Sequence, residues 1–120
     1  MTKVSEQVTV VCNTSAEILH RDGWCRKHYH SEDGKHCMVG ALTWAMDQTF
    51  GKCWRDSRDA MDVYHATKNA VLCVLHSTNR IPTGYGDCGL EGWNDASVFM
   101  CGARDADDVI EVLKLAGNSR

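Results

Sequence analysis

This sequence of 120 residues has no long apolar run, little proline and no large excess of either charge. Its apolar runs reach only a few residues, whereas a helix that crosses a bilayer needs about 20, so we expect no membrane span. With a single proline and no low-complexity tract, no linker is indicated, and we predict one globular domain over residues 1–120. Thirteen Lys+Arg against sixteen Asp+Glu leave a net charge of -3, which does not favour nucleic-acid binding.

Cysteine is the residue type that the sequence has in unusual number, seven in all. The number is odd, and a chain of this length can build a core without cross-links, so a disulfide framework is not indicated. Cys73 lies in the apolar run 71–75, where a thiol is typical of a small core hydrophobe. Residues 1–6 lack the charged and apolar stretches of a secretory signal. We therefore expect reduced thiols and a cytoplasmic location.

Helical spacing of apolar residues predicts a mainly α fold with about four helices and one short β-hairpin. Three of the helices are predicted over residues 38–48, about 57–77 and 105–117. The last of these is expected to begin at the cap Asp105 and to stop at Gly117. Polar residues 51–56 and glycine-rich residues 79–95 are predicted to be a break and a loop between helices.

The first 22 residues leave two structures open. Residues 3–22 have helical spacing that ends at Gly23, which predicts a single helix. The run Val-Thr-Val-Val at 8–11 instead favours a strand, and Thr14-x-x-Glu17 would then be the capping box of a shorter helix. An α+β fold is therefore the alternative to the mainly α fold.

Residues 25–37 form the predicted hairpin. Its loop is the dipeptide Asp33-Gly34, which is typical of two-residue turns. A two-residue loop places His30 opposite Cys37. The same segment holds the dense group of histidines and cysteines in this chain, which raises the question of a metal site.

Four side chains of the hairpin are candidate zinc ligands. His28, His30 and Cys37 would share one face, because side chains alternate between the two faces of a strand. Cys25 has the opposite parity and could join them only if the strand bulges. Since a structural zinc site normally takes four protein ligands, we expect exposed histidines, no stoichiometric zinc and no other cofactor. An enzyme that uses these four residues for metal or thiol chemistry is the alternative.

Three short motifs give the chain a family resemblance. They are Gly23-Trp24-Cys25, Cys37-x-x-Gly40-Ala41 and Trp93-Asn94-Asp95. In this order they resemble an uncharacterised domain family of actinobacteria and their phages, over about residues 16–116. The resemblance implies no activity and therefore assigns no catalytic residue. The family often has a glycine soon after Gly-Trp-Cys, where this chain has residues 27–30, so the resemblance implies no family-wide metal site.

The motif residues are expected to determine the fold. A large ring among small residues is typical of a core, which applies to Trp24 and Trp93, and Gly40 would let the segment that carries Trp93 approach closely. Asn94 and Asp95 are expected to form a turn by bonding the local backbone. A binding cleft built from the same five residues is the alternative.

These observations favour a small non-enzymatic accessory protein. The chain is short, its charge is ordinary, and no set of residues forms a coherent catalytic group. We expect it to bind a host or phage macromolecule, most simply a protein. A homo-oligomer is compatible with the same composition. No membrane or nucleic-acid partner is expected. For a phage-encoded chain, the predicted location is the host cytoplasm.

Overall fold

The computed structural model describes residues 3–26, 28–81, 88–95 and 102–118. In this part of the chain there are five α-helices, one 3₁₀ turn at Trp54–Asp56 and no β-strand. The α-helices are α1 (Lys3–Asp22), α2 (Met38–Phe50), α3 (Arg58–Ser77), α4 (Cys88–Asp95) and α5 (Ala106–Asn118). The prediction of a mainly α fold is confirmed, with one helix more than expected. None of the helices described here has both the length and the apolar character that a bilayer crossing requires.

Residues 3–22 form a single helix, which decides between the two structures left open by the sequence. Val8, Val11 and Leu19 lie buried along one face of α1. Burial of this helically spaced face outweighs the strand propensity of the β-branched run, because propensity is weak compared with tertiary packing. Gly23 ends the helix with φ +97°, and its N–H donates to the carbonyl of Leu19 at 2.9 Å.

The caps of α3 and α5 confirm the predicted starts of both helices. Ser57 and Asp105 each use a side-chain oxygen to accept a backbone N–H of the first turn. The predicted stop at Gly117 is wrong, because α5 continues to Asn118. A Cβ added at Gly117 would lie 3.1 Å from the Cβ of Cys12 on α1, so this glycine permits close helix packing instead.

Helix α4 lies in the region that was predicted to be a glycine-rich loop, residues 79–95, and this prediction is wrong for its second half. Two glycines weaken the helix propensity there. However, Leu90 and Trp93 are three positions apart and only 1% exposed each. Their burial as α4 packs against α2 and α3 holds a helix too short to form alone. Residues 82–87 of the predicted loop lie outside the described residues.

The core is formed where α1 packs against α2, α3 and α5. Two sequence expectations are corrected here. Trp54, predicted to lie in a polar break, is buried, and its indole Nε1 donates to Oδ1 of Asp47 at 2.7 Å. Cys73, predicted to lie in the core, is exposed. Its neighbours Val71 and Val74 face the core, and Cys73 is the position of that run which faces outward.

The irregular segment between α1 and α2 replaces the predicted β-hairpin. We call residues 23–26 and 28–37 the loop segment. The bridges described in it are isolated ones, an antiparallel bridge between His30 and His36 and a parallel bridge between Trp24 and His36. His36 therefore pairs with a backbone segment on each side, and neither pairing extends into a β-strand.

The turn within the loop segment is one residue longer than predicted. A 2.8 Å hydrogen bond between the flanking residues closes a three-residue turn at 32–34, and Gly34 adopts φ +85°. Such turns favour glycine at the left-handed position. The extra residue shifts the register, so His30 faces His36 and not Cys37.

Candidate functional site

The side chain of Asn94, at the end of α4, joins the three motif regions of the chain. Its Oδ1 accepts from Nε1 of Trp24 at 2.7 Å and from the N–H of Met38 at 3.0 Å. Its Nδ2 donates to the carbonyl of Cys25 at 3.2 Å and to the carboxylate of Asp95 at 2.9 Å. Asn94 is 1% exposed. It therefore bonds distant segments in addition to its neighbour, where a local turn was expected.

The amide of Asn94 takes the place of a peptide group between two diverging segments. The N–H of His36 donates to the carbonyl of Gly23 at 3.1 Å, and the N–H of Cys25 donates to the carbonyl of His36 at 2.9 Å. This is the bond pattern of parallel strands, and the next bond would join the carbonyl of Cys25 to the N–H of Met38. Asn94 is inserted there and satisfies both groups, as the pairing of backbone polar groups requires.

The first turn of α2 supports the loop segment. Cys37 is the N-cap residue, as predicted for the junction, and its Sγ accepts from the N–H of Gly40 at 3.2 Å. A Cβ added at Gly40 would lie 1.9 Å from the carbonyl oxygen of Tyr29. Gly40 thus allows the close backbone approach that the sequence predicted. The approaching backbone is that of Tyr29, not that of the segment with Trp93.

Beside the N-cap lies a cleft of about 230 Å³ lined by His28, Tyr29, Cys37, Glu91 and Asp95. The hydroxyl of Tyr29 donates to the carboxylate of Glu91, and this bond raises the pKa of Tyr29 to about 12. Burial raises the pKa of Cys37 to about 11. The Cys37 thiol is therefore protonated at neutral pH, although a helix N-terminus by itself would favour the thiolate.

A second group of side chains, Asp22, His36 and His30, forms a chain of contacts elsewhere in the loop segment. Nε2 of His36 lies 2.9 Å from Oδ2 of Asp22, and Nδ1 of His36 lies 2.7 Å from Nδ1 of His30. Hydrogen bonds from Arg21 and His36 hold the pKa of Asp22 well below its usual range. An ionised Asp22 favours a proton on Nε2 of His36, so that Nδ1 of a neutral His36 accepts from His30.

Trp44 on α2 lies against both histidine rings. The ring centroids are 5.9 Å from His30 and 5.8 Å from His36. Trp44 is still 40% exposed, and Tyr29 is 54% exposed. Because Trp44 is one turn beyond Gly40, it lies on the side of α2 that the loop segment crosses. We call the exposed rings of His30 and Trp44 the aromatic patch, while the Tyr29 ring lies at the cleft with Glu91.

Sequence reasoning missed the aromatic patch, although one signal for it was present. The helical spacing of apolar residues places Leu42, Ala45 and Met46 on one face of α2, and all three are buried. Trp44 lies off that face. A tryptophan outside the apolar face of an amphipathic helix indicates a contact with something other than the core.

The candidate zinc ligands are divided between two places. His28 and Cys37 line the cleft, and Sγ of Cys25 donates to the carbonyl of His28 at 3.2 Å. His30 instead pairs with His36. Both His28 and His30 are exposed, as predicted. Among the residues that the structure describes, no group of three or more His, Cys, Asp or Glu side chains is placed to hold a metal ion. That the purified protein carries no zinc stays a prediction.

The fold and site define a class of protein: a small helical domain whose loop segment is fixed to the start of α2 by one buried asparagine. The chain belongs to the family of unknown function DUF6197, whose family model matches residues 4–119. This match confirms the resemblance to an uncharacterised domain family. Comparisons with curated proteins and with solved structures gave no match.

Proposed function

We propose that this protein is a non-enzymatic binding protein and that the aromatic patch is its contact surface. The observation that carries the proposal is the 40% exposure of Trp44 beside the rings of His30 and His36. Tryptophan and tyrosine are enriched among the few residues that contribute most of the binding energy at protein interfaces. An exposed indole on an otherwise polar side of a helix therefore favours a protein partner.

The patch stands on a rigid support, which favours binding. The backbone of Tyr29 packs directly on Gly40, and Asn94 bonds the start of the loop segment to Met38, which follows its end. Binding to a preorganised surface loses less conformational entropy than binding to a mobile loop. The partner that we propose is a host or phage protein.

The surroundings of the patch indicate the chemistry of that partner. Asp47 acts on the pKa of His30 from α2, and Glu91 and Asp95 line the cleft that contains Tyr29, the residue before His30. A basic side chain of the partner would be attracted to this acidic rim, and its apolar part would contact the rings. We therefore propose a partner that presents an apolar and basic surface.

Enzymatic alternatives have weaker support in the same geometry. Burial raises the pKa of both Cys25 and Cys37, whereas the catalytic cysteine of a thiol enzyme typically has a lowered pKa. A metal enzyme would have to bring His30 to the cleft that His28 and Cys37 line. Elemental analysis of protein purified without chelator tests that alternative directly, because stoichiometric zinc would move it ahead of the binding function.

The variant Trp44→Ala tests the proposed surface. Immobilised parent protein is crosslinked in lysate of the source organism or its host, and captured proteins are identified by mass spectrometry. Leu115→Ala on α5 is the matched control, because Leu115 is 42% exposed and outside the patch. We expect one partner to be captured by the parent and by Leu115→Ala, and to be lost with Trp44→Ala. Equal capture by Trp44→Ala, or no partner above background, would count against the proposal.

A further inference from the structure

We propose that Cys25 and Cys37 are a redox-active pair that forms a disulfide by exchange with a low-molecular-weight disulfide. Trp24 and His36 are paired in a parallel bridge, so the next residue of each segment, Cys25 and Cys37, also lie side by side. Paired strands lie about 4.8 Å apart. The Cα atoms of a disulfide are usually about 4.4–6.8 Å apart. The register of this bridge therefore makes the two cysteines neighbours across the segments, next to the point where they are paired directly.

Asn94 limits how far the two segments diverge at this point. Its amide spans from the carbonyl of Cys25 to the N–H of Met38, the residue after Cys37. The segments are paired directly at Trp24 and His36, and between Cys25 and Met38 they are one hydrogen-bonded amide apart, so the two cysteines lie where the divergence begins. In parallel strands, neighbouring residues in register project to the same face.

The surroundings of both sulfur atoms agree with this placement. Sγ of Cys25 donates to the carbonyl of His28 at 3.2 Å, and Cys37 lines the cleft that His28 also lines. Cys25 is also one of the groups that act on the pKa of Cys37, after the larger effect of burial. Both cysteines are free thiols in this structure.

Accessibility sets the order of the two steps. Cys25 is half-buried and Cys37 is buried, so Cys25 reacts first. Its thiolate attacks one sulfur of the external disulfide RSSR, forms a mixed disulfide and releases RS⁻. Cys37 then gives up its proton and attacks the Cys25 sulfur, and the second RS⁻ leaves. Two protein thiols are oxidised, RSSR is reduced, and the two protons end on two molecules of RSH.

This chemistry is compatible with a reducing compartment. Disulfides in the cytosol are usually transient and serve catalysis or redox sensing. Because burial raises the pKa of both thiols, the thiolate fraction is small at neutral pH, and exchange should become faster as the pH rises. The product would join the loop segment covalently to the N-cap of α2.

Oxidised glutathione provides the test. Reduced full-length protein is incubated with it, the remaining thiols are blocked by alkylation, and intact mass and peptide mapping locate the products. We expect a peptide pair linked through Cys25 and Cys37, faster formation at pH 9 than at pH 7, and a melting temperature several degrees higher. Cys73→Ser, which removes an exposed thiol on α3, should form the same link.

The single variants separate the two steps. Cys37→Ser should stop at a mixed disulfide on Cys25, and serine is itself a good N-cap residue, so this variant should fold. Cys25→Ser should give no internal link at Cys37. Mixed disulfides alone in the parent, or links that join other cysteines, would overturn the proposal whichever variants fold.

Discussion

The long helices α1, α2, α3 and α5 pack through faces of buried apolar residues, whereas the loop segment is attached to them mainly by hydrogen bonds and one glycine. The two regions therefore depend on different terms of the free energy of unfolding. Burial is spread over many side chains in the bundle, so one change removes a fraction of it. In the loop segment a single side chain, Asn94, satisfies several buried groups at once. Substitutions in the two regions should differ accordingly.

Trp93→Ala is expected to have the largest effect. Trp93 is part of the core, and its burial also anchors α4, the helix in which Asn94 lies. Truncating a buried tryptophan typically lowers the free energy of unfolding by about 3–5 kcal/mol, a large share of the stability of a small domain. Urea denaturation followed by circular dichroism measures the change. Trp44→Ala, at a 40% exposed site, is the control. A Trp93→Ala protein that unfolds like the parent would show that the indole does not support the core.

Asn94→Ala should lower the free energy of unfolding by roughly 2–3 kcal/mol, because the buried N–H of Met38 and the part-buried carbonyl of Cys25 lose their partner. The damage should be local. In hydrogen exchange, the amide of Met38 should lose protection while the amides of α5 keep theirs. The control Asn69→Ala, at an exposed position of α3, should leave the protection of the Met38 amide and of the α5 amides unchanged. Uniform loss of protection in Asn94→Ala would mean that the two regions unfold as one unit.

Two glycine-to-alanine changes compare the regions directly. At Gly40 the added Cβ would lie 1.9 Å from the backbone oxygen of Tyr29, so the backbone must move, and we expect a loss of about 1–3 kcal/mol. At Gly117 the nearest contacts are at 3.1 Å, and the gain in helix propensity, about 1 kcal/mol, offsets them. Gly117→Ala should therefore stay within about 1 kcal/mol of the parent in the same denaturation experiment. A larger loss of stability for Gly117→Ala than for Gly40→Ala would contradict the close contact between Gly40 and Tyr29.

The same contrast explains how much could be predicted from the sequence. Helices α3 and α5 were predicted closely because apolar spacing and capping residues are local signals. Three of the four bonds of the Asn94 side chain join residues 56 to 70 positions apart, and no local pattern encodes them. The predicted pairing of the hairpin was wrong because of one residue: the turn is one residue longer than predicted, and this changes every pairing that follows. Helix α4 was missed because burial of Leu90 and Trp93 outweighs its glycines.

Acid should weaken the loop segment through His30. Burial, together with His36, lowers the pKa of His30 below its ordinary 6.5, so the folded state favours the neutral ring. A group with a lowered folded-state pKa stabilises the fold above its ordinary pKa, and this contribution is lost as the pH falls through the folded value. Asp22 also has a lowered pKa, but it stays ionised well below pH 5.

The melting temperature should therefore fall between pH 7 and pH 5, and His30→Gln should reduce that fall. His65→Gln, at an exposed histidine on α3, is the control and should leave the pH dependence unchanged. If His30→Gln and the parent lose stability in parallel, the acid response belongs to other groups. The expected effect is smaller than that of the Gly40→Ala change, because the His30 side chain is only partly buried.

Replacing His28 and His30 together by Asn should have the smallest effect at pH 7, less than about 1 kcal/mol, which is usual for surface substitutions. Both side chains are exposed, and they lie in different surroundings, His28 at the cleft and His30 against His36. A bundle with its own apolar core does not need a metal in order to fold. Urea denaturation of the double variant, with chelator added to the parent, tests both statements. A structural zinc site would be revealed if the double variant unfolded or if chelator lowered the parent's melting temperature by many degrees, because such a site contributes its binding energy directly to folding.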